Sequence, residues 1–211
     1  MLTGRGCAGK LRPMSDLLIL IPAAGASTRM RGGDKLMEMA DGVPVLVRQV
    51  RRALATGSDV VVTLSQDHPD RHSAVSGLNT PALTLVLIDG REGMAVSLRR
   101  AAQHARAKDY QGLMILPADM PDLDTDDLVV LSQSFACAPN AIHRATSAEG
   151  RPGHPVIFPQ RLFAALEQLS GDQGGRDLTS DENLCFVALP DDRALIDLDT
   201  PEDWANWRMR Q

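Results

Sequence analysis

The chain has 211 residues, of which 44% are hydrophobic, 23% charged and 3% aromatic, enough apolar material to bury a core and too much for a disordered chain. Twenty-two Lys and Arg against 27 Asp and Glu give a formal charge of -5, which argues against a broad surface for nucleic acid or an anionic membrane and leaves any bound anion to a local site. Four Phe, two Trp and one Tyr are too few for the stacking platforms that bind single strands.

Residues 1–15 are expected to be a disordered N-terminal extension, with Met14 a candidate natural start, and residues 16–211 to form one domain. Leu17 to Ile21 reads as a first buried strand. Val43 to Thr56 carries helical spacing at Leu46, Val50 and Leu54, with Arg48, Arg51 and Arg52 turned outward. Strands are expected over 59–64, 83–88 and 113–116, with a polar loop (QDHPDRHS) after the first of these. Helices are expected over 95–108 and 124–138, the second opened by Thr125, Asp126 and Asp127.

The rhythm then changes. Residues 141–146 and 154–158 read as strands joined by a turn-rich link too short for a crossover helix, hence antiparallel. A short helix (160–169), a Gly-rich loop (171–175), strands over 184–189 and 194–198, and a last helix opened by Thr200-Pro201 follow. Strands alternating with helices predict an α/β fold with a mostly parallel sheet covered on both faces. Cys7, Cys137 and Cys185 are far apart and form neither a CxxC pair nor a Cys/His cluster, the usage expected of a cytoplasmic protein. The longest apolar run, Leu17 to Ala24, is far short of the roughly 20 residues that span a bilayer.

Three motifs carry chemistry. The loop Ala23-Ala24-Gly25-Ala26-Ser27-Thr28-Arg29-Met30, running on to Lys35, follows the first strand directly. Small side chains there let backbone N–H groups approach a phosphate, with Arg29 and Lys35 as donors to a polyphosphate; an ordinary loop with two solvated cations is the competing reading. One glycine is too few for GxGxxG, and no Gly-Lys-Ser/Thr follows as a P-loop requires; GRGCAGK at residues 4–10 matches GxxxxGK but lacks both the Ser/Thr and a preceding strand. Second, Asp119 sits just past an apolar strand in Pro117-Ala118-Asp119-Met120-Pro121, a position suited to Mg2+ or to a turn. Third, in Ile196-Asp197-Leu198-Asp199 either acid is placed to complete a metal site with Asp119, or merely to precede a helix cap.

AAGASTRM with its lysine, EGMAVSL (92–98), ADMP (118–121), GRPGHPVIF (150–158), GDQGGR (171–176) and DLDTPED (197–203) stand in the order seen in MobA-like nucleotidyltransferases. The chain resembles that family over about residues 16–207, and within it the molybdenum cofactor cytidylyltransferases. The resemblance implies a GT-A-like, Rossmann-related three-layer α/β/α sandwich. It also implies Mg2+-dependent transfer of CMP from CTP to molybdenum-molybdopterin, with release of pyrophosphate. By similarity Ala23, Ala24 and Gly25 line the cytosine and ribose, Ser97 contacts the base, Arg29 and Lys35 hold the triphosphate, and Asp119 and Asp199 bind the metal. His154 and Arg176 fall on the acceptor side. A molybdoenzyme or its maturation chaperone is the implied partner, with no nucleic acid and no membrane. Relatives that use GTP usually carry glycine where this chain has Ala24, which favours a pyrimidine. Guanylyl transfer, transfer to a sugar phosphate, and a non-catalytic cofactor carrier are the alternatives; a carrier has no need of both carboxylates and both cations. Pro22, Ala95 and the Gly32-Gly33-Asp34 stretch depart from the family pattern without removing a charged group.

Overall fold

A computed structural model describes residues 16–171, 173–179 and 182–211. The expected extension over 1–15, and Cys7 with it, lies outside the described residues. In chain order the strands are β1 (Leu17–Ala23), β2 (Met39–Ala40), β3 (Val43–Pro44), β4 (Asp59–Ser65), β5 (Leu83–Ile88), β6 (Gly112–Ile115), β7 (Ile142–Thr146), β8 (Pro152–Pro159) and β9 (Leu184–Ala188). The helices are α1 (Val45–Ala55), α2 (Pro69–Ser76), α3 (Met94–Ala107), α4 (Thr125–Cys137), α5 (Phe163–Leu166) and α6 (Pro201–Arg208). Among the described residues no helix is long and apolar enough to cross a membrane.

Seven strands form one sheet in the order β5-β4-β1-β6-β8-β7-β9. β1 is parallel to β4 and β6, and β4 to β5. β8 runs antiparallel to both β6 and β7, while β7 and β9 are parallel, so one reversed strand is inserted into an otherwise parallel sheet. Strand alternation sorts β1 between two cores. Leu17, Ile19 and Ile21 pack with Leu46 and Val50 of α1, Leu128 and Leu131 of α4 and Trp204 of α6. Leu18 and Leu20 pack with Leu98 and Ala101 of α3 and with Phe163 and Leu166 of α5. Both faces are covered, which is why these strands read as unbroken apolar runs rather than alternating ones. This is the expected three-layer α/β/α sandwich.

Three expectations are corrected. The polar stretch after β4 is not all loop: Pro69 at the start and Asp70 in the first turn open α2, as the N-terminal end of a helix favours. No strand forms over 194–198. The chain turns over 191–195, and its backbone makes single bonds to separate partners, His154 N–H to the Ala194 carbonyl and Leu198 N–H to the Asp119 carbonyl, instead of a ladder. Finally, the first two residues of the expected helix over 43–56 belong to β3, paired with β2, and α1 begins at Val45.

The topology fixes where a ligand can sit. From β1 the chain steps to β4 and β5 on one side, then crosses to place β6 on the other side of β1. Strand order therefore reverses between β1 and β6, and the crevice beyond their carboxyl ends is where open α/β sheets bind ligands.

One close contact ties β8 to the segment that leads into α6. A Cβ at Gly153 would lie 1.9 Å from the Ala194 carbonyl oxygen, the group that accepts from His154 N–H at 2.8 Å. Gly153→Ala should therefore force the two backbones apart and destabilise the protein by about 1–3 kcal/mol, as overpacking typically does. Urea unfolding measures this, and an unchanged midpoint would contradict the contact.

Candidate active site

The loop after β1 does not run into a helix. Residues 28–30 and 35–37 form two 3-10 turns, with Ser27 and Arg31 in the left-handed region at φ 49° and 53°. Arg71 of α2, completely buried, holds this loop. Its guanidinium bonds both Asp34 carboxylate oxygens at 2.7 Å, the Ala23 and Gly25 carbonyls at 2.7 Å each and the Ser27 hydroxyl at 2.9 Å. Burial works against the charge on Asp34, yet the Arg71 bonds and charge, with the Leu36 N–H, outweigh it and hold the carboxyl below its ordinary value of 3.8. Sequence reasoning missed Arg71, because an arginine in a polar stretch reads as solvated. The available signal was Pro69-Asp70, which marks a helix start two residues before it.

Asp119 and Asp199 meet at the mouth of the crevice. Asp119 lies just beyond β6, whose pairing with β1 extends through a bond from Leu116 N–H to the Leu20 carbonyl at 2.9 Å. Gln49 and Arg52 of α1 bond the carbonyls of Met120 and Pro121 behind it. Asp199 is brought in from the far end of the chain by the Leu198 N–H bond to the Asp119 carbonyl at 2.9 Å. The α6 capping box then fixes it, with Asp203 accepting from Thr200 N–H and the Thr200 hydroxyl accepting from Asp203 N–H. Buried Trp204 anchors that helix.

Lys35 Nζ bonds Asp119 at 2.5 Å and Asp199 at 2.7 Å, and Arg29 bonds the other oxygen of Asp199 at 2.6 Å. The two cations expected on a polyphosphate thus rest, in the free protein, on the two carboxylates expected to hold a metal. Burial lowers the Lys35 pKa, but Asp119 and Asp199 reverse this and hold it above the ordinary value. Asp197 is exposed, and partial desolvation together with repulsion from Asp199 and Asp119 pushes its carboxyl up. Of the two acids left open by the sequence, it is Asp199 that shares Lys35 with Asp119. Among the described residues no three His, Cys, Asp or Glu side chains gather as a metal cage.

Two clefts open from this point. The first, of about 390 Å³, runs over Ala24, Gly25, Ala26, Lys35, Ser97 and Asp119. Ala23 is in the core and offers the loop only its carbonyl, to Arg71. The Ser97 hydroxyl accepts from Thr63 at 2.9 Å, which leaves its own proton available to the cleft. A Cβ on Gly90 would come within 2.4 Å of the Ala24 carbonyl, so the segment after β5 packs directly on the Ala24 backbone beside the cleft, and Ala24 itself is buried with Ile88 and Val96. The second cleft, about 300 Å³, shares Pro22, Met94 and Pro117 with the first and contains His154 and Arg176. It also contains Arg144, which no sequence pattern singled out.

A small-residue loop at the switch point, with two carboxylates and two cations at its mouth, defines a nucleotidyltransferase. Residues 19–185 match the MobA-like NTP transferase domain, and the chain belongs to that family. It is 27% identical to the purine catabolism protein PucB of Bacillus subtilis over 194 residues, 86% of this chain and 91% of the relative. It is 28% identical to a probable molybdenum cofactor guanylyltransferase of Rhodopirellula baltica, covering 89% of each chain. Among solved structures, Rv0371c of Mycobacterium tuberculosis superposes with a TM-score of 0.75 at 24% identity, covering 90% of this chain and 95% of that one. A CMP:2-keto-3-deoxy-manno-octonic acid synthetase complexed with CTP superposes at 0.72 and 14%, covering 92% and 97%. The fold is the GT-A-like, Rossmann-related sandwich that the sequence resemblance implied.

Replacing Arg71 by methionine leaves partly buried Asp34 and the Ala23 and Gly25 carbonyls without this donor, a loss of about 3 kcal/mol, the lower end of what breaking a buried pair costs. The pH dependence carries a sign. Asp34 titrates below 3.8 in the folded protein, so its contribution is complete above that value and fades as pH falls through the folded pKa. The stability gap between parent and Arg71→Met, followed by urea unfolding, should therefore narrow in acid. A constant gap would show that the Asp34 pair contributes nothing.

Proposed function

We propose that this protein transfers CMP from CTP to the phosphate of a molybdopterin-type acceptor and releases pyrophosphate, using Mg2+ held by Asp119 and Asp199. The observation that carries this reading is the convergence of Asp119, Asp199, Lys35 and Arg29 beside the cleft floored by Ala24 and Gly25. The donor set fits the metal: two hard carboxylate oxygens, with the remaining positions left to phosphate oxygens and water, are what an octahedral Mg2+ takes in nucleotide sites. Bound there, the ion supplies positive charge to the triphosphate. A phosphate monoester carries about -1.5 to -2 at pH 7, so it attacks the α-phosphorus without a general base. One P–O bond forms, the bond to the β-phosphate oxygen breaks, and pyrophosphate leaves with the electron pair. Lys35 and Arg29 neutralise the carboxylates in the free protein, and once these have another cation they turn to the leaving pyrophosphate, where charge accumulates.

Cytosine is favoured by Ala24 in the cleft lining, where a methyl in place of a glycine hydrogen takes up space beside the backbone that Gly90 already crowds. The Ser97 hydroxyl is the polar group available to the base edge. GMP transfer is the second reading, favoured by the several relatives that carry the name molybdenum cofactor guanylyltransferase. We place the reaction in the cytoplasm, with a molybdoenzyme or its chaperone receiving the product.

The test is kcat/KM for CTP and GTP with molybdopterin as acceptor. CTP should be preferred, and Ala24→Gly should raise GTP use by roughly 10- to 200-fold, the usual worth of one methyl in a pocket. A parent enzyme that prefers GTP would replace the cytidylyl reading with the guanylyl one.

A further inference from the structure

The second cleft has a composition that the chemistry at Asp119 and Asp199 does not explain. Its floor is apolar, with Leu98, Ile115, Val156 and Phe158. Against that floor stand Arg144 of β7, His154 of β8 and Arg176 of the 3-10 turn over 175–178. Gly175 brings that turn close, since a Cβ there would lie 2.4 Å from the Phe158 ring.

Most other arginines near the sheet ends are neutralised: Arg29 by Asp199, Arg71 by Asp34, Arg99 by Glu92, Arg193 by Asp124. Among the described residues Arg144 and Arg176 have no carboxylate partner. Arg144 Nε donates to the Gly153 carbonyl at 3.0 Å, which aims the guanidinium and leaves both its terminal nitrogens uncommitted. Burial lowers the Arg144 pKa and Arg176 adds to this. The two cations therefore repel each other across a partly desolvated space. His154 Nδ1 is buried and has no hydrogen-bond partner among the described residues, a rare state for a polar atom in a folded protein. Burial, then Arg144, pushes the His154 pKa down, against a smaller opposing pull from Asp119, while Arg176 also lowers it. Three donors around an apolar floor, none of them ion-paired to a carboxylate among the described residues, are complementary to an anion on a flat apolar body.

We propose that Arg144, with Arg176 and His154, forms a clamp that seats the phosphate of a phosphate monoester whose planar ring lies on the floor of the second cleft. The two arginines supply planar N–H forks for phosphate oxygens, and His154 Nδ1 supplies a third bond. The clamp presents the nucleophilic oxygen across the shared wall of Pro22, Met94 and Pro117. This deepens the proposed function, because it rests on an acceptor that bears a phosphate. It makes Arg144 a positioning residue for the acceptor rather than for the nucleotide.

The experiment uses the full chain and a simple probe. Phenyl phosphate should bind by calorimetry or 31P NMR, and phenol, which lacks the anion, should not. Arg144→Met and Arg176→Met should each weaken phenyl phosphate at least 10-fold and leave CTP affinity in Mg2+ unchanged; with molybdopterin, KM should rise far more than kcat falls. Arg176 is bonded only through its backbone carbonyl, by Thr179, and its side chain makes no hydrogen bond or ion pair among the described residues, so its variant reports on the clamp even where Arg144→Met unfolds. Wild-type affinity for phenyl phosphate in a folded Arg144→Met or Arg176→Met variant would overturn the clamp. Binding of phenyl phosphate that both substitutions abolish, in a protein that transfers nothing to molybdopterin, would keep the clamp and reject the proposed acceptor.

Discussion

Two carboxylates that enter from opposite ends of the sequence share one ammonium. Asp119 follows the central strand of the sheet, Asp199 precedes the last helix, and Lys35 lies between them, with Arg29 on the remaining oxygen. Two acids this close repel, and a partly desolvated site strengthens the repulsion. The arrangement is stable only because cations from the first loop sit in it. The geometry of everything around follows from that need. The loop after β1 must be rigid enough to deliver Lys35 and Arg29 together, and Arg71 makes it so from beneath. Likewise the segment before α6 must be tied to the end of β6, and the Leu198 bond to the Asp119 carbonyl does this.

Neutralised in this way, the site is poised for exchange. In the proposed reaction a triphosphate would compete for Lys35 and Arg29 and a divalent cation for the carboxylates, so the two ligands would assist each other's entry. The wall of Pro22, Met94 and Pro117 divides the clefts. In the proposed reaction, selection on the nucleotide side would rest on steric limits at Ala24, and on the acceptor side on charge. The two clefts draw on different strands, so under that proposal donor and acceptor preferences would vary separately on one scaffold.

Much of this was legible in the chain. The strand and helix rhythm followed from runs such as Leu17 to Ile21 and from helical spacing at Leu46, Val50 and Leu54, because burial on two faces leaves a direct imprint on composition. Asp119 and the Arg29 to Lys35 loop were visible because a charged residue just past an apolar strand has few structural reasons to be there. Other features left no local trace. Arg71 is a core residue only through its five tertiary bonds, and its residue type alone speaks for solvent. The stretch over 194–198 carries strand-like alternation, yet its backbone is spent on His154 and Asp119, partners far away in sequence. Arg144 sits in an ordinary strand, and its lack of a carboxylate partner appears only once the neighbours are placed. Nor could spacing reveal that the predicted cations and the predicted metal ligands touch.

The proposed nucleotidyl transfer depends on the carboxylate pair as its metal site. Pyrophosphate release from CTP in the presence of molybdopterin, followed as Mg2+ is titrated, addresses it most directly in three proteins: the parent, Asp119→Asn, and Asp126→Asn on the exposed start of α4. The parent and Asp126→Asn should show the same metal-dependent release. Asp119→Asn should fold as the parent does and release little pyrophosphate at any Mg2+ concentration. Undiminished release by Asp119→Asn would contradict the metal site and, with it, the mechanism.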